Sequence, residues 1–136
     1  MIKELPNMPA ASEMVGATVR AFNRLAKELN RTSSRRVTTV QLFGLQLLHL
    51  TFLADTHNEG VTMTEFSKMM GHSTAASTGS VDTLEDLGLV QRGHPPLDHR
   101  KVTVFLTEKG CATIGDLENF MEEELALICG YELAPV

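Results

Sequence analysis

Residues 61–110 read VTMTEFSKMMGHSTAASTGSVDTLEDLGLVQRGHPPLDHRKVTVFLTEKG, and the architecture follows from this stretch. Thr62 and Glu65 have capping-box spacing: the Thr hydroxyl accepts from the N3 amide while the carboxylate reaches back to the cap amide. Phe66, Met69 and Met70 form the apolar face of a helix of about two turns, and Gly71 suits the residue after its end. Ser73 or Thr74 caps a second helix with Ser77, Val81, Leu84 and Leu87 on its inner face, and Gly88 ends it. Two short helices joined by a Gly-containing turn are a helix-turn-helix signature. Residues 89–92 and 101–106 alternate like strands around a Gly/Pro turn. A hairpin placed directly after a helix-turn-helix is a wing.

On the N-terminal side, Thr39 to Ala54 is apolar nearly all round, which predicts a helix in the middle of the domain. The DTHNEG stretch, 55–60, ends it. Further out, Val15, Val19, Phe22, Ala26 and Leu29 recur at steps of four and three, one apolar stripe on a helix over Glu13 to Leu29. Ser12 is its expected N-cap. On the C-terminal side, Thr107 caps a helix with Glu108 in its first turn, where the macrodipole favours an anion. Cys111, Ile114, Leu117, Met121, Leu125 and Ile128 continue its stripe. A helix of roughly twenty residues spans ~30 Å, more than so small a domain covers. Its stripe is therefore expected to pack on the first helix and on a second copy of the chain.

The chain has 136 residues, 43% hydrophobic and 21% charged, which fits one globular domain with its own core. Twelve Lys and Arg against 17 Asp and Glu give a net charge of -5, which excludes a uniformly basic, histone-like coat. A local basic patch remains allowed. Six cations lie between Arg20 and Arg36, and Arg92, Arg100, Lys101 and Lys109 cluster again; between Val37 and Gln91 only Lys68 is basic. Two cysteines make no disulfide framework and fit a reducing compartment. The N-terminus lacks the apolar segment of a secretory signal, and no run reaches the length of a membrane span. The expectation is a cytoplasmic protein that does not contact membranes.

The order helix, helix, short strand, helix-turn-helix, winged hairpin, long helix resembles the multiple-antibiotic-resistance regulator (MarR) family. The match rests on Leu84, Glu85, Gly88, Leu89, Val90, Arg92, Asp98, Arg100, Leu106, Thr107 and Gly110, in place without a gap from Val61 to Gly110. The resemblance implies a mainly α (α+β) fold: a winged helix-turn-helix core at 37–106, with dimerisation helices at 12–30 and 107–130, in a single domain over 1–136. It also implies a homodimer on double-stranded DNA, with the second motif helix in the major groove, wings in flanking minor grooves, and often a small-molecule effector in a cleft. The function expected is a sequence-specific transcriptional regulator, a repressor relieved by a ligand. The alternative is a winged-helix module that binds a protein instead of specific DNA.

The DNA-facing residues expected are Ser73, Thr74, Ala75, Ala76, Thr78, Arg92, Asp98, Arg100 and Lys101. Arg100 at the wing tip can enter a narrow minor groove, where the negative potential is enhanced. Asp98 can hold its guanidinium by a charge-assisted bond. Lys101 and Arg92 are phosphate or structural contacts, or Arg92 pairs with a carboxylate of its own subunit. His94 and His99 could donate to phosphates. The second motif helix departs from the family pattern: Gly79 stands where a basic residue is usual, and Ser77 where an apolar one is. The segment 73–80 holds no Arg, Lys, Asn or Gln, so bidentate readout of guanine or adenine is beyond it. Hydroxyl contacts and thymine-methyl contacts remain, which predicts modest sequence discrimination.

Cys111 is read as a small buried hydrophobe near a helix N-terminus, and Cys129 as a dimer-interface residue. His49, His57 and His72 lack the spacing of a metal site, so no metal and no cofactor are expected. A small apolar or aromatic anion is the expected effector, with Arg20, Arg24 and the Val40–Ala54 helix as candidate walls. No phosphate loop or Gly-x-Ser-x-Gly is present, and no enzyme activity is expected.

Overall fold

Three of the four hydroxyl caps read from the sequence form. Glu65 N donates to Thr62 Oγ1 at 3.1 Å, Ala76 N to Ser73 Oγ at 3.2 Å and Gly110 N to Thr107 Oγ1 at 3.0 Å. Each satisfies an amide that has no partner inside its own helix. The computed structural model describes residues 9–54, 60–94, 98 and 100–130. The elements are α1 (Ala11–Thr32), α2 (Thr39–Ala54), β1 (Val61–Thr62), α3 (Met63–Met70), α4 (Thr74–Asp86), β2 (Val90–Gly93), β3 (Thr103–Leu106) and α5 (Glu108–Cys129). This is the winged helix-turn-helix flanked by two long helices that the sequence predicts.

Gly71 has φ 67°, a left-handed value that suits glycine. It lets its own amide reach Lys68 O and the His72 amide reach Ser67 O, and so turns α3 into α4. The three strands form an antiparallel sheet in the order β1-β3-β2. Val61 pairs with Val104, and Val90 with Leu106. Val61, Val90 and Val104 point from this sheet into the core.

That core joins Leu42, Leu45 and Leu48 of α2 to Phe66, Val81, Leu84, Leu89, Ile114 and Leu117. Each leucine removed from water contributes about 1.5–3 kcal/mol. Gly110 shows how closely α5 seats on the wing. A Cβ there would lie 2.1 Å from the Leu89 carbonyl oxygen, so only glycine permits the approach.

Three expectations are corrected. The N-cap of α1 is Ala10 rather than Ser12; in place of a hydroxyl cap, the Glu13 carboxylate accepts from the Ala10 amide at 3.4 Å. The buried face of α1 is Ala17, Ala21, Phe22, Leu25 and Ala26, while Val15 and Val19 of the predicted stripe are exposed. Small alanines are what let α1 lie close along α5. Finally, α2 is covered on one side only: Val40, Phe43, Leu50, Phe52 and Leu53 remain exposed. A single chain has too few elements to wrap a helix that is apolar all round.

Candidate nucleic-acid interface

Helix α4 presents Thr74, Ala75, Ala76, Thr78 and Gly79 to solvent. Its hydroxyls are less free than the sequence suggests. Ser73 Oγ already accepts the cap bond, and Thr78 Oγ1 donates to Thr74 O at 2.8 Å. A base could still receive a proton from Ser73 or Thr74, and methyl contact from Ala75, Ala76 and Thr78. Around Gly79 the space is open: a Cβ added there would meet no atom within 4 Å. Ser77 is fully buried, and its hydroxyl finds no hydrogen-bond partner among the described residues. It serves as a small core residue.

The wing differs. Arg100 is 95% exposed at its side chain. Asp98 Oδ1 accepts from the Arg100 backbone amide at 3.0 Å and from Arg100 Nε at 3.4 Å. Lys101 N donates to Asp98 O at 3.3 Å, and His94 Nδ1 lies 2.8 Å from Lys101 O. Asp98 thus shapes the turn as well as steering the guanidinium. An exposed pair of this kind is worth little to stability. Residues 95–97 and His99 of the turn, and His57 before β1, lie outside the described residues.

Arg92 takes the intrasubunit pairing. Its Nη1 meets Glu85 Oε1 at 2.7 Å and its Nη2 meets Asp82 Oδ1 at 2.5 Å and Thr78 O at 3.3 Å. The Arg92 amide also donates to Glu85 Oε2 at 3.0 Å. Partial burial works against the charge of this guanidinium, but the bonds to Asp82 and Glu85 outweigh it and hold the pKa above its ordinary value. Arg92 is the brace between the wing and α4, which leaves Arg100 and Lys101 as the wing's outward cations.

Two further ties to α4 carried no sequence signal, because their partners are far apart in the chain. Arg35 reaches Thr83 Oγ1 at 3.1 Å and Asp86 Oδ2 at 3.3 Å. Lys109 Nζ donates to Leu87 O at 2.8 Å.

The two arginines read as effector walls are mostly occupied. Arg20 Nε meets Glu124 Oε2 at 3.0 Å, and Arg24 meets Glu124 Oε1 at 3.3 Å and Glu123 Oε2 at 2.6 Å. The bond to Glu123 is the main reason the Arg24 pKa lies above its ordinary value. The Arg24 guanidinium also lies 4.3 Å from the Phe120 ring centroid. Cys111 and Cys129 are both free thiols and half-buried. Among the described residues, no group of three or more His, Cys, Asp or Glu could hold a metal ion, and no helix is long and apolar enough to cross a membrane.

The comparisons agree with this geometry. The MarR family model matches residues 43–101, from Phe43 in α2 through α3, α4 and β2 to the turn before β3. The fold is shared with a transcriptional regulator of Thermotoga maritima, at 20% identity over 88% of this chain and 75% of that one, TM-score 0.68. MepR of S. aureus, solved as a DNA complex, is 16% identical over 81% of this chain and 80% of its own, TM-score 0.64. CouR of Rhodococcus jostii, solved with p-coumaroyl-CoA, is 24% identical over 85% and 73%, TM-score 0.59. No curated protein sequence matches the chain.

Proposed function

We propose that this chain, a transcriptional-regulator fold whose residues 43–101 carry the MarR family match, acts as a homodimeric repressor that binds double-stranded DNA and is released by a small ligand. It acts by binding, without catalysis, in the cytoplasm, as one domain over 1–136. Helix α4 enters the major groove through Ser73, Thr74, Ala75, Ala76 and Thr78. The wing places Arg100 in the adjoining minor groove, with Lys101 on the phosphates. The observation that carries this reading is the fully presented Arg100 on a turn organised by Asp98. A narrow minor groove attracts such a guanidinium most strongly.

The dimer reading is supported by the apolar residues one chain leaves uncovered. On α1 these are Met14, Val15 and Val19; on α5 Leu127 is 76% exposed. They lie toward the N-terminal end of α1 and the C-terminal end of α5, which an interlocked pair of helices from a second copy would cover. The DNA complex of MepR and the ligand complex of CouR lend the shared fold both halves of the proposed cycle.

The test is fluorescence anisotropy on the DNA upstream of the gene, beside a scrambled duplex, at two salt concentrations. Specific binding that weakens steeply with salt and falls in Arg100→Ala supports the reading. Equal affinity for scrambled DNA at low salt overturns it in favour of a protein-binding winged helix.

A further inference from the structure

The loop between α1 and α2, residues 33–38, is pinned at three places. On the α1 side the Asn30 side chain donates to Val37 O at 2.9 Å and accepts from Val37 N at 2.7 Å. On the α2 side Thr38 N donates to Gln41 Oε1 at 3.0 Å and Gln41 N to Thr38 Oγ1 at 3.2 Å, a reciprocal cap that fixes the start of α2. Between these, Arg35 reaches across to α4. Its Nε and Nη2 donate to Thr83 Oγ1 at 3.3 and 3.1 Å, and its Nη1 pairs with Asp86 Oδ2 at 3.3 Å. All three guanidinium nitrogens are engaged on α4.

Thr83 passes the contact on. It is buried, and its hydroxyl, which accepts twice from Arg35, donates to Gly79 O at 3.3 Å. That uses everything a hydroxyl can offer. Gly79 is the weak point of α4, because only proline suits a helix interior less well. It also divides the helix. From Thr74 to Gly79 every residue but Ser77 is exposed, whereas Ser80, Val81, Thr83 and Leu84 beyond it are buried. The half of α4 before the division is the half that carries the proposed DNA contacts.

We propose that Arg35 is a positioning residue for DNA binding. Through the Thr83 hydroxyl it holds the Gly79 carbonyl in the helix, and so aims the 74–79 half of α4 from the α1–α2 loop. The inference rests on the DNA-binding reading above and adds to it a side chain that acts without touching the duplex. Lysine cannot take its place, because a single ammonium cannot fork onto Thr83 and Asp86 together. Arg35 and Thr83 work as one unit, so losing either removes the whole effect.

The experiment compares Arg35→Ala, Arg35→Lys, Thr83→Ser, Thr83→Val and the double variant Arg35→Ala with Thr83→Val. Each full chain is titrated on the upstream duplex across a salt series and, without DNA, followed by amide hydrogen exchange. Arg35→Ala, Arg35→Lys and Thr83→Val should each weaken specific binding by roughly five- to tenfold. The double variant should lose no more than either single one, and Thr83→Ser should bind like the parent chain. The salt slope should stay as it was, since a lost phosphate contact would lower it by about one. Exchange should speed up at the amides of residues 76–83 and remain unchanged in α2 and α5.

Undiminished binding by Arg35→Ala, while the parent chain prefers the upstream duplex, overturns the proposal and leaves the DNA-binding reading standing. A parent chain without that preference overturns both. Rescue by Arg35→Lys, or a slope lowered by about one, replaces positioning with a direct phosphate contact. Exchange that rises equally in every helix also overturns the proposal, because Arg35 would then serve only overall stability.

Discussion

Helix α4 and the wing would face the same duplex, yet they are equipped in opposite ways. The helix offers small side chains, with the Thr78 hydroxyl turned back onto Thr74 and nothing at all at Gly79. The wing offers a long, charged, fully exposed side chain on a turn that Asp98 organises. Arg92 holds the two together by charge, while Gly110, by its lack of a side chain, lets α5 seat against the start of the wing. Affinity and shape reading can therefore reside in the wing while the helix supplies close fit. Close fit follows from small residues because the backbone can approach the bases.

The largest expected effect breaks the seat of the wing. Gly110→Ala places a methyl 2.1 Å from the Leu89 carbonyl oxygen and should cost about 3 kcal/mol or more, read as a loss of urea midpoint. Next comes Arg100→Ala, which weakens specific duplex binding by roughly tenfold or more in anisotropy and leaves the midpoint unchanged. Thr74→Ala, on the helix, should weaken it by a clearly smaller factor. An α4 variant more damaging than Arg100→Ala would reverse the comparison.

The brace is intermediate. Arg92→Ala removes pairs that are only partly screened from water and should lower stability by about 1–2 kcal/mol. It should also weaken DNA binding by loosening the wing against α4. A similar step in the other direction is expected of Gly79→Arg, which has open space to occupy. It should raise affinity for half-sites with a guanine under α4, by roughly tenfold for one bidentate contact. Unchanged guanine preference would mean that α4 stands off the bases. The smallest effect is Ser77→Ala. Removing a buried hydroxyl that lacks a partner among the described residues should stabilise the chain by up to about 1 kcal/mol and leave DNA affinity as it was.

The local signals were legible because they act over a few residues. Thr62, Ser73 and Thr107 cap helices through amides three positions away, and Gly71 turns the chain where the spacing says it must. Arg100 and Asp98, two residues apart, could be placed together for the same reason. Ser77, in contrast, could be seen as unusual for the family the chain resembles but not as a buried hydroxyl left without a partner among the described residues. The wall arginines misled because Glu123 and Glu124 lie some hundred residues further along the chain.

The order of elements, the start and end of each motif helix, and the poverty of donors on α4 were all written in the residues themselves. They follow from side chains meeting their own nearby backbone and from residue identity alone. Apart from the Asp98–Arg100 pair, which arginines are spent and on which carboxylates was decided only by the folded chain. Pairing depends on which carboxylate the fold brings within reach: Arg92 was claimed by α4 and Arg24 by α5, while Arg36 was left facing an open cleft.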